Sequence, residues 1–178
     1  MKTNFCYLVV LLFAACCPPR IPDPRTKTSA VHPFSTENAF CGQVRLEGGF
    51  GLTAAHCIHE AGEALYVDNI GDIALVKDVT PGPTVKLGTA MSSMVLLDHF
   101  PMKHHSFSEG RFLGEQWIIG KDSLVIDCNN AVETGSSGGA VFNSDNELVG
   151  LISSRGAFTG YAFAAGPETL RQALERLN

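Results

Sequence analysis

The stretch ETGSSGGAVF, residues 133–142, combines three glycines and two adjacent serines between two apolar segments. Strand-like residues precede it at SLVID (123–127) and end it at GAVFN (139–143). A flexible linker is not expected between two strands. Because glycine adopts positive φ values that other residues avoid, the stretch instead predicts a sharp turn that presents a serine.

Length and charge limit the architecture and the partners. The chain has 178 residues, enough for one compact domain or two small fused barrels. Its net charge of -5 offers no basic surface for nucleic acid, so no nucleic-acid partner is expected. Glycine is common, and no amphipathic helical pattern occurs before the last dozen residues. The composition therefore favours a mainly β chain.

Short apolar runs separated by turn residues predict the strands. We place them at 40–46, 50–55, 64–67, 73–77, 93–100, 111–120, 123–128, 139–143, 147–153 and 159–165. The segment DVTPGPTVKLG (78–88) is typical of a connection, and PETLRQALERL (167–177) predicts a helix with Leu170, Ala173, Leu174 and Leu177 on one face. The predicted fold is all-β: two small antiparallel β-barrels, at about 31–78 and 90–166, followed by a C-terminal α-helix.

The N-terminal residues 1–16 have the pattern of an export signal. Lys2 is followed by an apolar run that is shorter than the roughly 20 residues of a membrane span, and then by small residues and cysteine. FAAC (13–16) resembles the bacterial lipoprotein box, which would make Cys16 the lipidated residue. The alternative is a plain cleaved secretory signal. Either signal takes the domain out of the cytoplasm and into an oxidising compartment. Disulfides persist there.

Residues 17–30 predict a tether between this signal and the folded domain at 31–178. Four prolines fall within residues 18–24, and such a density favours an extended, semi-rigid segment. Behind a lipidated cysteine, the tether would hold the domain off a membrane surface.

The serine turn requires a base that comes earlier in the chain. GSSGG (135–139) satisfies the glycine-x-serine-x-glycine pattern of the α/β-hydrolases, but their histidine follows the serine, and the last histidine here is His105. Of the six histidines, His56 is distinctive because small residues beside it leave room for its ring. Most of the others (His32, His59, His99, His104 and His105) are expected to be solvated. Asp72 opens an otherwise apolar strand and is the candidate acid.

Three motifs in this order resemble the chymotrypsin-like serine peptidases: TAAHC (53–57), DIAL (72–75) and GSSGG (135–139). The resemblance implies His56 as base, Asp72 as its orienting acid and Ser137 as nucleophile. The backbone N–H groups of Gly135 and Ser137 would form the oxyanion hole. A subtilisin order would need an acid before the histidine, and Asp23 lies in the tether.

The resemblance also implies a disulfide and a substrate cleft. Cys41 and Cys57 match the family's disulfide beside the catalytic base, and Ser153 matches a hydroxyl that supports the catalytic aspartate. Ala131 and Val132 occupy the region where trypsin-like enzymes carry the pocket aspartate, which favours cleavage after small or medium apolar residues. Arg155 is the alternative determinant, for an acidic residue. We expect Cys128 to be a buried free thiol.

The chain departs from the animal digestive members of this family. Ser136 stands where they carry an aspartate that pairs with a newly cut N-terminus, so that activation is not expected. GYAFAAGPETL (160–170) instead resembles the bacterial high-temperature-requirement proteases, although no peptide-binding domain is expected after the helix. The short interval between His56 and Asp72 predicts a trimmed first barrel, and Asp68 is the competing acid within it.

Taken as a resemblance, these features predict an exported serine endopeptidase that forms an acyl-enzyme on Ser137. It would need no cofactor and no metal, act on polypeptides as a monomer, and touch a membrane only through a lipid on Cys16. The alternative is a catalytically silent, protease-like binding module at a cell surface.

Overall fold

The computed structural model describes residues 29–36, 39–59, 64–118, 121–156 and 159–176. The expected export signal (1–16), Cys16 and nearly all of the tether (17–30) lie outside the described residues, as does Leu177. No helix within the described ranges combines the length and the apolar character that a membrane crossing requires.

The N-terminal half forms a five-stranded antiparallel sheet. Its strands are β1 (Val31–Ser35), β2 (Phe40–Leu46), β3 (Phe50–Thr53), β4 (Ala64–Asp68) and β5 (Ile73–Lys77), in the spatial order β1-β2-β3-β5-β4. Val44, Leu52 and Leu75 are fully buried on its inner side. Among the residues that the structure describes between His56 and Asp72, one strand, β4, is present, as their short interval predicts.

The C-terminal half forms a closed six-stranded barrel. Its strands are β6 (Met94–His99), β7 (Ser106–Ile118), β8 (Lys121–Asp127), β9 (Ala140–Phe142), β10 (Leu148–Arg155) and β11 (Tyr161–Ala165), in the order β10-β11-β8-β7-β6-β9. Leu97, Leu124 and Ile126 fill its interior without solvent exposure. The predicted all-β class with a trimmed first unit is confirmed.

One helix, α1 (Pro167–Glu175), follows the last strand of the described barrel. It begins with proline, whose missing N–H costs nothing at a helix start. Its buried residues Leu170 and Ala173 join an apolar cluster that contains Leu52 of the sheet and Leu151 of the barrel. The helix therefore packs where the two halves meet.

Two strands differ from the sequence prediction. The strand β1 was not predicted, because His32 and Pro33 interrupt its apolar pattern, yet it pairs with β2 in register from Val31 to Ser35. The strand β7 begins at Ser106, five residues before the predicted start, because its first residues pair with β6 although few of them are apolar.

Candidate active site

His56 lies in a short 3-10 turn, Ala55–Cys57, directly after β3. Cys57 is buried and forms the expected disulfide with Cys41 of β2, with the two Cα atoms 6.4 Å apart. The His56 side chain is 50% exposed. The disulfide thus fixes the backbone beside a ring that remains open to solvent on one side.

Asp72 holds the imidazole of His56 in one orientation. Both carboxylate oxygens of Asp72 lie 3.0 Å from His56 Nδ1, and the backbone amide of His56 donates to Oδ1 at 3.1 Å. A carboxylate only accepts, so Nδ1 carries the proton and Nε2 offers its lone pair. This is the tautomer that a general base requires.

The backbone of Asp72 is left-handed. It immediately precedes β5 and adopts φ 54°, a left-handed conformation that L-residues other than asparagine and aspartate rarely use. The strand β5 begins at Ile73, one residue after Asp72. In this conformation the carboxylate contacts both His56 and Ser153.

The pKa of the Asp72 carboxyl lies below its usual value. Burial opposes ionisation and would raise the pKa, but hydrogen bonds from His56 and from Ser153 favour the charged form and outweigh it. Asp72 is therefore ionised at neutral pH and can stabilise a positive charge on the imidazole.

Ser153 of β10 connects this pair to the serine loop. Its hydroxyl donates to Asp72 Oδ2, and its carbonyl accepts the hydroxyl of Ser137 at 3.3 Å. One residue therefore contacts both the acid and the serine of the predicted triad. General-base transfer to His56 requires the Ser137 hydroxyl to turn from this carbonyl, and such catalytic bonds are often loose without substrate.

The loop that carries Ser137 is fixed between the two halves of the molecule. The Ser137 carbonyl accepts the Gly42 amide at 2.7 Å, and the Gly138 amide donates to the Ile152 carbonyl at 2.7 Å. Gly138 has φ 77°, and a Cβ there would lie 2.0 Å from the Gly42 carbonyl oxygen. Only glycine fits this close approach, which explains the glycine after the serine.

The predicted oxyanion-hole residues lie in and directly after a tight turn. The Ser136 amide donates to the Glu133 carbonyl at 2.9 Å, and Gly135 occupies the third position of that turn with φ 94°, as a type II turn requires. In the part of the chain that the structure describes, the amides of Gly135 and Ser137 have no hydrogen-bond acceptor. The turn therefore uses the amide of Ser136 and neither of the two predicted donors.

The predicted specificity residues differ in their burial. Val132 is buried in the barrel core, Ala131 is half-buried, and Arg155 is exposed at the last position of β10. A separate cavity of about 670 Å³ opens beside Gly135, with Phe40 and Lys103 in its wall. Cys128 is a buried free thiol, as expected, and donates to the Gly160 carbonyl.

One buried contact differs from the sequence prediction. His99, expected to be solvated, is 0% exposed, and its Nδ1 lies 2.8 Å from the hydroxyl of Ser136, which is also 0% exposed. Its Nε2 lies 2.9 Å from the Ser108 hydroxyl. The only signal in the sequence is the position of His99 at the end of a strand, MVLLDH, that begins with four apolar residues.

A group of metal-type ligands also lies at the site. Ligand atoms of Cys41, His56 and Cys57 lie within 4.8 Å of one another. Both sulfurs are committed to the disulfide, so this group offers no thiolate.

Solved structures have the same architecture. A serine-to-alanine mutant of Rv3671c from M. tuberculosis, in its inactive form, superposes with TM-score 0.71 at 15% identity, over 89% of this chain and 95% of that one. The serine endoprotease from Yersinia pestis gives TM-score 0.68 at 24% identity, over 83% and 61%. The chain has the chymotrypsin-like serine protease fold.

Two curated relatives share one description with each other. A probable periplasmic serine endoprotease, DegP-like, from Ectopseudomonas mendocina is 30% identical over 155 residues, covering 72% of this chain and 33% of the relative. One from Pseudomonas fulva, described in the same words, is 30% identical over 149 residues, covering 69% and 31%. The chain spans about a third of the length of these relatives. No protein-family model matches the chain.

Proposed function

We propose that the chain is a serine endopeptidase that hydrolyses peptide bonds through an acyl-enzyme on Ser137. The observation that supports this most directly is the set of contacts around Ser153, which touches both Asp72 and Ser137. His56 bonds to the same carboxylate. The DegP-like relatives are described as serine endoproteases, which is consistent with this activity.

The proposed reaction has two halves, acylation of Ser137 and hydrolysis of the acyl-enzyme. His56 accepts a proton and then donates it in each half. Ser137 Oγ attacks the peptide carbonyl carbon while His56 Nε2 takes its proton, and Asp72 stabilises the resulting imidazolium. The N–H groups of Gly135 and Ser137 receive the developing oxyanion, each contributing roughly 3 to 4 kcal/mol to lowering the barrier. Collapse breaks the C–N bond, and the leaving amine takes the proton from His56. Water then attacks the ester carbonyl carbon while His56 Nε2 takes its proton. The C–O bond to Ser137 breaks, and His56 returns the proton to Ser137 Oγ.

We propose that the residue before the cleaved bond is small or medium and apolar. Ala131 and Val132 place no charge in this region, and Val132 is buried. Arg155 is exposed at the end of β10, so an acidic residue is the alternative. Hydrolysis of peptides that differ only in this residue (alanine, valine, glutamate and lysine) by the wild type and Arg155→Gln decides between them. Loss of glutamate cleavage alone in the variant would establish the alternative.

We further propose that the protein acts outside the cytoplasm as a monomer and is anchored by a lipid on Cys16. The relatives are described as periplasmic, and the disulfide requires an oxidising compartment. Metabolic labelling with palmitate should tag the wild type and not Cys16→Ser. An unlabelled wild type whose mature chain begins at Cys17 or later would indicate a plain secretory signal.

The activity itself is tested with an organophosphonate probe that reacts with activated serines. We expect labelling of the wild type at Ser137, mapped by mass spectrometry, and none in Ser137→Ala. Ser93→Ala removes an exposed hydroxyl of the barrel and should label normally. A folded wild type that neither reacts with the probe nor cleaves peptides would favour the second candidate, a protease-like binding module.

A further inference from the structure

Ser136 lies between the two predicted oxyanion donors, Gly135 and Ser137, and its side chain points away from the substrate side into the protein. The residue is 0% exposed. Its hydroxyl oxygen accepts the Glu133 amide at 3.2 Å and lies 2.8 Å from His99 Nδ1. Ser136 is therefore the buried attachment point of the turn that carries both donors.

One assignment of hydrogen-bond directions satisfies both ring nitrogens of His99 with these partners. Because Ser136 Oγ already accepts from the Glu133 amide, its own proton is free to be donated to His99 Nδ1. The proton of the neutral ring then resides on Nε2 and is donated to Ser108 on β7, at 2.9 Å. The ring thus spans from a barrel strand to the turn.

Packing holds the ring against this turn. The amide of Gly139 donates to the Ser136 carbonyl at 3.0 Å, and a Cβ at Gly139 would lie 2.7 Å from the Cβ of His99. The last residue of β6 and the loop after Ser137 are therefore in direct contact. Any side chain at Gly139 would push them apart.

We propose that His99 is a positioning residue for the oxyanion hole. Its bond to the Ser136 hydroxyl holds residues 135–137 so that the amides of Gly135 and Ser137 converge on one acceptor. This role rests on the proposed peptidase activity. It adds a buried side-chain contact to the backbone hydrogen bonds that already hold this loop, none of which uses the amide of Gly135 or of Ser137.

Two substitutions at His99 separate the two contacts of the ring. The amide of asparagine reaches the position of Nδ1, and the amide of glutamine reaches the position of Nε2. His99→Asn therefore retains the bond to Ser136, and His99→Gln retains only the bond to Ser108. We expect His99→Asn to keep kcat within about threefold. His99→Gln should lose roughly tenfold to a hundredfold in kcat, with KM unchanged, which is less than the roughly 10² to 10³ that removal of an oxyanion donor costs.

A second pair of variants tests the same bond from the partner side. Ser136→Ala should lose kcat as His99→Gln does, whereas Ser108→Ala, which removes the other partner of the ring, should stay near the wild type. Equal losses in Ser136→Ala and Ser108→Ala, or equal kcat in His99→Asn and His99→Gln, would overturn the proposal. This pair also remains informative if a substitution at the buried His99 prevents folding.

A readout without catalysis separates this proposal from the proposed function. Amide hydrogen exchange in residues 133–138 should be faster in His99→Gln and Ser136→Ala than in the wild type, and unchanged in His99→Asn. If this exchange pattern is found in a protein that has no peptidase activity, the proposed function is refuted, whereas the contact between His99 and Ser136 is still shown to hold the turn. Unchanged exchange in all variants of an active enzyme would refute the positioning role alone.

Discussion

The hydroxyl of Ser153 donates a hydrogen bond to Asp72 Oδ2 across 81 residues of chain. It is one of the two side chains that favour the charged form of this carboxyl, the other being His56. A charge-assisted bond of this kind is stronger than a neutral one. Because Ser153 lies on β10, the position of this strand affects how firmly Asp72 is held.

Ser153→Ala should raise the pKa of Asp72 and lower kcat by roughly tenfold, because a lost hydrogen bond to a charged group costs about 1.5 to 3 kcal/mol, of which only part reaches the transition state. Ser154→Ala, at the exposed next position, is the matched control. Turnover of one apolar peptide substrate measures both. Equal turnover in the two variants would contradict the role of this hydroxyl.

The same substitution should change the dependence of stability on pH. In the wild type the pKa of Asp72 is lowered by folding, so its contribution to the free energy of unfolding is present above the unfolded pKa and is lost as pH falls through the folded pKa. In Ser153→Ala the folded pKa of Asp72 lies closer to the unfolded pKa, so Asp72 contributes less to the free energy of unfolding. Urea unfolding should therefore show the variant to be less stable at neutral pH, with a difference that shrinks in acid.

The disulfide between Cys41 and Cys57 should contribute about 3 kcal/mol to the free energy of unfolding, from the closure of a short loop. Denaturant unfolding of the wild type with and without reductant measures this. The doubly substituted Cys41→Ser, Cys57→Ser protein should be as unstable as the reduced wild type and insensitive to reductant. Cys128→Ala lacks the buried free thiol and should keep the reductant effect. A wild type that unfolds identically in both conditions would contradict the prediction.

His99 should make the protein sensitive to mild acid. Burial, and then the nearby His105, lower the pKa of His99 from 6.5 to about 4. The unfolded chain therefore binds a proton at a pH where the folded protein does not, and stability falls as pH drops from about 6.5 towards 4. Between about pH 7 and pH 5 this costs about 2 kcal/mol.

His99→Asn cannot titrate and keeps the Ser136 contact, so the free energy of unfolding of this variant should fall by about 2 kcal/mol less over that interval. The other titrating groups nearby, Asp98 and His105, are present in both proteins, and their effects largely cancel in the comparison. Parallel stability curves for the wild type and the variant would show that His99 takes up its proton at the same pH in the folded protein as in the unfolded chain, which would contradict the lowered pKa.

The sequence predicted those parts of the site that short motifs encode. TAAHC, DIAL and GSSGG place a base, an acid and a serine on separate elements, and their order limits the architecture. The contact between His99 and Ser136 joins residues 37 positions apart with no motif around His99, so solvation was the natural expectation. The positive φ of Asp72 was equally hidden, because it depends on contacts with His56 and Ser153 that only the folded chain creates.

The short interval before Asp72 leaves Asp68 as the carboxylate to exclude. Asp68 ends β4, and its Oδ1 accepts the Ile70 amide at 2.9 Å, so it caps a turn. Asp72 instead accepts both the ring and the backbone N–H of His56.

In a serine–histidine–aspartate triad, replacing the orienting acid by its amide costs about 10⁴ in turnover, because the imidazole then adopts the wrong tautomer. We expect a loss of that order in Asp72→Asn and less than about tenfold in Asp68→Asn. Turnover of both folded variants on one peptide substrate measures this, and a severe loss in Asp68→Asn with a mild one in Asp72→Asn would assign the acid to Asp68.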